Sequence, residues 1–222
     1  MSVSIASFID HTLLKPVASK SDIDKLCDEA RQYGFAAVCV PPYYVRRACE
    51  DLQGSKVKVA TVIGFPLGYA KAEVKQVEVS QAIADGADEL DMVMNLAALF
   101  SGDEHTLRRE IEMILPEVHA RGKVLKLIIE SGILSDEQIR YCCALYGQYP
   151  VDFLKTSTGF AEKGASIEAV RLMRSLLPAH IQIKASGGIR HYDQVKQYIE
   201  AGATRIGCSA SVAIMQEAIQ QV

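Results

Sequence analysis

Eight times along the chain a short β-rich run gives way to a stretch with the apolar spacing of an amphipathic helix, and this alternation limits the possible folds more than any other feature. The strand-like runs are 35–40, 57–64, 89–95, 124–130, 153–157, 181–185 and 204–207, with a weaker one at 7–10 opening the set. The helical stretches are 21–33, 43–51, 72–85, 104–120, 136–146, 167–176, 192–200 and 211–220. Ser21, Ser135 and Ser166 stand where helix N-caps belong, and Gly34, Gly86, Gly122, Gly147 and Gly202 follow helices as C-cap residues do. No linker or low-complexity segment breaks the pattern. Alternating βα units build a parallel sheet, and eight of them predict an α/β fold, a closed (β/α)8 TIM barrel forming one domain over residues 1–222. A doubly wound open sheet is the alternative. It calls for a glycine-rich turn after the first strand, and Asp10-His11-Thr12-Leu13-Leu14 has no glycine.

Composition narrows the partners. Hydrophobic residues are 49% and charged residues 23%, the balance of a soluble globular protein, and the formal net charge is −3. A generic nucleic-acid binder displaces counterions with a basic surface, which this chain lacks. No apolar run is long enough to span a bilayer, so no membrane partner is expected, and residues 1–15 lack the pattern of a secretory signal. Six cysteines at 27, 39, 49, 142, 143 and 208 form no CxxC pair, which fits buried thiols in a reducing cytoplasm.

Several strands carry charge where a barrel interior is expected. Alternate strand residues point inward, and barrel catalysis occurs at the strand C-terminal ends. Glu89, Asp91 and Asn95 share one face of the fourth strand, and Lys126 and Glu130 one face of the fifth. Lys155 follows Phe153, Lys184 follows Gln182, and Asp10 ends the first strand. Any one of these could face solvent or join an inert polar network, but acids and lysines converging from at least four strands favour an enzyme. Lys155 and Lys184 fall on neighbouring strands. Two ammonium groups at that range disfavour double protonation, and a neutral amine can attack a carbonyl. Asp91 is placed to stabilise the other lysine and share its proton. The residue pattern alone leaves open which lysine attacks.

An anion site is predicted independently. Ser186-Gly187-Gly188-Ile189-Arg190 follows the seventh strand, and Gly207-Cys208-Ser209-Ala210-Ser211 follows the eighth and opens the last helix. Barrels often bind phosphate with these two loops, whose glycines and helix N-terminus present N–H groups. Thr156-Ser157-Thr158-Gly159 adds hydroxyls and another glycine. The five histidines have no ligand spacing, so no metal is expected; His11 reads as a local structural residue. Walker A, GxGxxG, HExxH and GxSxG motifs are absent.

Ile9-Asp10-His11-Thr12-Leu13-Leu14-Lys15-Pro16, Thr61-Val62-Ile63-Gly64-Phe65-Pro66-Leu67-Gly68, the strand from Ala87 to Asn95, Phe153-Leu154-Lys155-Thr156-Ser157-Thr158-Gly159-Phe160 and Lys184-Ala185-Ser186-Gly187-Gly188-Ile189-Arg190 together resemble the deoxyribose-phosphate aldolases of bacterial class I type. The resemblance runs from 9 to 214. It implies a metal-independent, cofactor-free barrel lyase that reversibly cleaves 2-deoxy-D-ribose 5-phosphate to D-glyceraldehyde 3-phosphate and acetaldehyde. It further implies Lys155 as Schiff-base nucleophile, Asp91 and Lys184 as the proton relay, and Thr156, Gly159, Gly187, Gly188 and Ser209 around the substrate phosphate. Asp10 and Cys39 are candidate pocket-lining residues. A cytoplasmic homodimer or homotetramer acting on small sugar phosphates and aldehydes is expected on the same ground.

Three segments depart from the usual family pattern. Pro41 stands where asparagine is common, Asn95-Leu96-Ala97 replaces Asn-Ile-Gly, and Ala210 removes a hydroxyl from the phosphate loop. The competing readings are another Schiff-base sugar-phosphate aldolase or transaldolase, and a non-catalytic phosphosugar-binding barrel.

Overall fold

The computed structural model describes residues 5–221; the outermost positions of the 1–222 domain reading, 1–4 and 222, lie outside it. The β-rich runs form strands β1 (Ile9–Thr12), β2 (Ala37–Val40), β3 (Lys58–Ile63), β4 (Glu89–Val93), β5 (Val124–Ile128), β6 (Phe153–Lys155), β7 (Gln182–Ser186) and β8 (Arg205–Cys208). Among the described residues these strands are all parallel and close into one barrel in chain order, with β1 beside β8. The helices are α1 (Lys20–Tyr33), α2 (Val45–Asp51), α3 (Ala72–Ala84), α4 (Leu96–Phe100), α5 (Glu104–Ala120), α6 (Asp136–Tyr146), α7 (Ile167–Leu176), α8 (Tyr192–Glu200) and α9 (Ser211–Gln220).

Strand alternation separates two interiors. Ile9, Val38, Leu90, Met92, Leu125, Leu127, Leu154, Ile183 and Ile206 face outward and merge with the buried faces of the helices into one continuous apolar core. The residues between them face the barrel axis. On β2 and β3 these are the small apolar Ala37, Cys39, Ala60 and Val62, a separate cluster packed by Leu14 and Phe65. Most inward positions on the other strands are polar or charged.

The elements differ from the sequence-based expectation in a few places. The first strand is Ile9–Thr12 rather than 7–10, so Asp10 sits within it instead of ending it. The N-cap of α1 is Ser19, not Ser21: its hydroxyl accepts from the Asp22 N–H while the Asp22 carboxylate accepts from the Ser19 N–H. Ser135 and Ser166 cap α6 and α7 as expected, and Gly34 ends α1 in the left-handed conformation at φ 69°. The short α4 was not anticipated. Asn95 caps it through a bond from the Ala98 N–H, which takes the Asn95 side chain out of the charged face of β4. Among the described residues no helix is long and apolar enough to cross a membrane. All six cysteines are free, and five are buried.

Candidate active site

Seven charged side chains from six strands meet inside the barrel: Asp10, Glu89, Asp91, Lys126, Lys155, Lys184 and Arg205. Register brings them together. Asp91 is level with Lys126 across β4 and β5, Lys155 with Lys184 across β6 and β7, and Lys184 with Arg205 across β7 and β8. Asp91 is the hub. Its Oδ2 accepts from both Lys155 Nζ at 2.7 Å and Lys184 Nζ at 2.6 Å, while its Oδ1 accepts from Lys126 Nζ at 2.8 Å. Lys126 also contacts Glu89 at 2.6 Å and Asp10 at 3.4 Å. Lys184 donates to Asp10 Oδ2 at 2.5 Å, and Arg205 joins Asp10 to Glu89 at 2.7 and 2.9 Å. Burial makes these charges costly apart and mutually dependent together.

Three carboxylates thus face four cationic groups, and the network relieves its surplus positive charge most easily where a cation has least carboxylate support. Lys126 has three carboxylate partners and Lys184 two, while Lys155 has only a shared oxygen of Asp91. Arginine does not give up its proton in this setting. Burial pushes Lys155 below the ordinary lysine value, against the pull of Asp91 and with the repulsion of Lys184. Burial acts in the same direction on Lys184 and Lys126, but their carboxylate partners outweigh it and hold both above that value. Burial likewise opposes ionisation of Asp91, and Lys126, Lys155 and Lys184 overcome it, keeping the carboxyl well below the usual range. The arrangement distinguishes two lysines that the residue pattern left equivalent. The amine best suited to attack a carbonyl is Lys155.

Lys155 is 3% exposed and forms the floor of a cleft of about 320 Å³, whereas Asp91 and Lys184 are fully buried beneath. The cleft walls include Gly159, Gly187, Gly188 and Ser209, at the C-terminal ends of β6, β7 and β8, with Lys15 and Arg190 also lining it. Gly187, at φ 90°, lies so close to the loop between β6 and α7 that a Cβ there would stand 2.9 Å from the Gly164 Cα. No side chain caps the first turn of α9, which begins just past Ser209. Glycine-rich backbone, a helix N-terminus and two basic side chains suit a phosphate.

Other anticipated residues take different positions. Thr156 is buried and does not line this cleft; its hydroxyl bridges β6 to β7 by donating to the Ser186 carbonyl and accepting from the Ser186 N–H. Asp10 lies below the cleft in the ion network and does not line it. Cys39 belongs to the small apolar cluster inside the barrel, and burial, with the Asp91 charge, pushes its thiol up to about 11. Glu130 does not stand beside Lys126. It lies past β5 in the left-handed region at φ 55°, and there accepts from the Thr158 hydroxyl at 2.5 Å. His11 points outward, linking Glu29 on α1 (2.9 Å) to Ser211 on α9 (3.0 Å), which is the structural role expected of it.

Two contributors were missed. Lys126 was assigned to an inward face without a function, and Arg205 was not singled out; their partners lie on strands distant in sequence, so only the alternation within each strand hinted at them. A second cavity of about 320 Å³ beside the first is lined by Leu14, Pro41, Val62 and Phe65, with Leu14 bordering both. The unusual Pro41 therefore faces a mainly apolar side space that Glu78 also lines.

The similarity to known proteins covers the whole barrel. The deoxyribose-phosphate aldolase of Thermococcus gammatolerans is 52% identical over 97% of both chains, and that of Streptococcus gordonii is 49% identical over 96% of both. The solved tetrameric deoxyribose phosphate aldolase from Aeropyrum pernix superposes with a TM-score of 0.90 at 35% identity, covering 98% of this chain and 92% of that one. The family model described as DeoC/LacD family aldolase matches residues 4–217, a span that takes in every strand, the lysine network and both glycine-rich loops. By fold, by site and by sequence, the chain belongs to the DeoC/LacD aldolase family.

Proposed function

We propose that this chain reversibly cleaves 2-deoxy-D-ribose 5-phosphate to D-glyceraldehyde 3-phosphate and acetaldehyde through a Schiff base on Lys155. The observation that carries the reading is the position of Lys155: on the floor of an anion-suited cleft, with a half-share in a single carboxylate and a proton affinity lowered by burial. Names of relatives at about half identity support the same substrate.

In this reading the phosphate of the open-chain sugar sits against Gly159, Gly187, Gly188 and Ser209. The lone pair of Lys155 Nζ attacks the C1 aldehyde, and loss of water gives an iminium. The Asp91/Lys184 relay, working through a water, takes the proton from the C3 hydroxyl. The C2–C3 bond then breaks, its electron pair flows into the iminium, and glyceraldehyde 3-phosphate leaves. Protonation of the remaining enamine at C2 and hydrolysis release acetaldehyde and restore the amine. Lys184, held as a cation by Asp10 and Asp91, suits a proton-donating role, and Asp91, ionised, suits a proton-accepting one. The same reading includes a cytoplasmic enzyme assembled as a homodimer or homotetramer, which light scattering on the purified protein tests.

The test of function is turnover. Wild-type protein given 2-deoxyribose 5-phosphate releases both products, Lys155→Ala releases neither, and in the synthetic direction acetaldehyde outperforms other carbonyl donors. Strong preference for a different donor would move the assignment to another sugar-phosphate aldolase, and no turnover with any donor would leave a binding barrel.

A further inference from the structure

Lys126 lies under the cleft, fully buried, and the reaction as written makes no use of it. We propose that Lys126 is a positioning residue: by occupying Oδ1 of Asp91 it confines Lys155 and Lys184 to the single oxygen Oδ2, and so keeps Lys155 short of the carboxylate that would hold it as an ammonium. The inference rests on the reading of Lys155 as the attacking amine.

Burying an ion network is no inexpensive way to fill a barrel, because apolar side chains of similar volume often do as well or better. Methionine would fill the space of Lys126 without a charge. What the ammonium adds is geometry and balance. Its contacts at 2.8 Å to Asp91, 2.6 Å to Glu89 and 3.4 Å to Asp10 tie one side of the Asp91 carboxylate to the barrel floor. The opposite oxygen is the one that two further lysines share, at 2.7 and 2.6 Å. Without Lys126, Oδ1 becomes free for one of them. The balance changes too, since three carboxylates would then face three cations and every remaining lysine could stay protonated.

Around Lys155 and Asp91 stand Asp10 on β1, Cys39 on β2, the apolar Val62 on β3, Glu89 on β4, Lys126 on β5, Lys184 on β7 and Arg205 on β8, and the buried Glu130 carboxyl just past β5 also acts on Lys155; none of the proposed substitutions alters Glu130. Removing the Lys126 charge therefore strengthens the hold of Asp91 on Lys155, whereas neutralising Glu89, a partner of Lys126 and Arg205, weakens the negative side and acts in the opposite direction.

The experiment follows imine formation rather than turnover. Wild-type protein, Lys126→Met, Lys126→Arg and Glu89→Gln are incubated with acetaldehyde and cyanoborohydride across a pH series. Reductive ethylation of Lys155 is read by peptide mass spectrometry, with exposed lysines of the same digest as internal reference. In Lys126→Met the pH midpoint for Lys155 is expected to rise, so that its rate on the acid side falls about tenfold, the effect of one nearby unit charge. Lys126→Arg keeps the cation and stays close to wild type, and Glu89→Gln moves the midpoint down. An unmoved midpoint in folded Lys126→Met would overturn the proposal and leave Lys126 as packing. If that variant does not fold, Lys126→Gln decides by the same reading: a raised midpoint supports the proposal, and an unmoved or lowered one overturns it. A wild type that forms no Lys155 adduct at any pH would instead overturn the aldolase reading itself, and the inference with it.

Discussion

Replacing Asp91 by asparagine separates the two halves of the proposed chemistry. The carboxylate accepts from three ammonium groups at 2.6 to 2.8 Å. At an effective dielectric near 20, each such pair is worth about 6 kcal/mol of gross attraction, most of which is offset by the cost of burying the charges. Breaking a buried network by removing one partner typically costs about 3–5 kcal/mol, within the roughly 5–15 kcal/mol that holds an ordinary domain together. Asp91→Asn is therefore expected to fold but to unfold at markedly lower urea concentration. Its effect on Lys155 is favourable in one respect, because the lysine loses the one carboxylate bonded to it and gives up its proton more readily. Imine formation survives, while the step that takes the C3 hydroxyl proton loses its base and slows by about 10²–10⁴-fold. Three readings on one preparation check this: urea unfolding, steady-state cleavage of 2-deoxyribose 5-phosphate, and borohydride trapping in a single turnover. Cleavage within tenfold of wild type would refute the relay, and a folded variant unable to form the Lys155 adduct would refute the separation of roles.

Further expectations come from the same geometry. Gly207→Ala would put a Cβ 3.0 Å from Lys184 Cε, so the lysine must give by a few tenths of an ångström; kcat is expected to fall while the thermal midpoint changes little. Thr158→Val removes the hydroxyl that bonds Glu130, leaving a buried carboxyl under-bonded at a cost of about 1–3 kcal/mol. Because Thr158 also borders the cleft, KM for the phosphorylated substrate should rise in kinetics of the purified variant. Burial lowers the His11 pKa from the ordinary 6.5, against the pull of Glu29, so the unfolded chain binds the extra proton first. The stability tied to neutral His11 is present above pH 6.5 and is lost as pH falls through the lower folded value. Thermal midpoints measured between pH 7 and 5 should therefore fall less steeply in His11→Phe than in wild type.

The barrel was legible because its outer core depends on local periodicity, which each segment carries by itself. β1 was misplaced because its inward positions, Asp10 and Thr12, are polar and its outward ones include His11, so it has no apolar run to mark it. The short α4 has a single turn and is held by Asn95 and by the buried Lys75–Glu110 pair, whose Glu110 accepts from the Asn95 N–H. Those contacts join residues far apart in sequence. In the site, Lys155, Asp91 and Lys184 stand out as charges at inward positions of the strands. The hierarchy among the lysines does not, since it depends on how many carboxylates each Nζ reaches, and that is set by register around the whole barrel. Thr156 shows the limit of motif reasoning: its neighbours Lys155 and Gly159 line the cleft, while strand alternation turns its own hydroxyl toward β7.

The proposed mechanism makes the reacting amine the lysine with the least carboxylate support. The most direct measurement is to incubate the wild-type protein with 2-deoxyribose 5-phosphate, quench with borohydride and locate the reduced adduct by peptide mass spectrometry. The adduct is expected on Lys155, with acetaldehyde and glyceraldehyde 3-phosphate released before the quench. An adduct on Lys184 or Lys126, each held as a cation by two or more carboxylates, would contradict it.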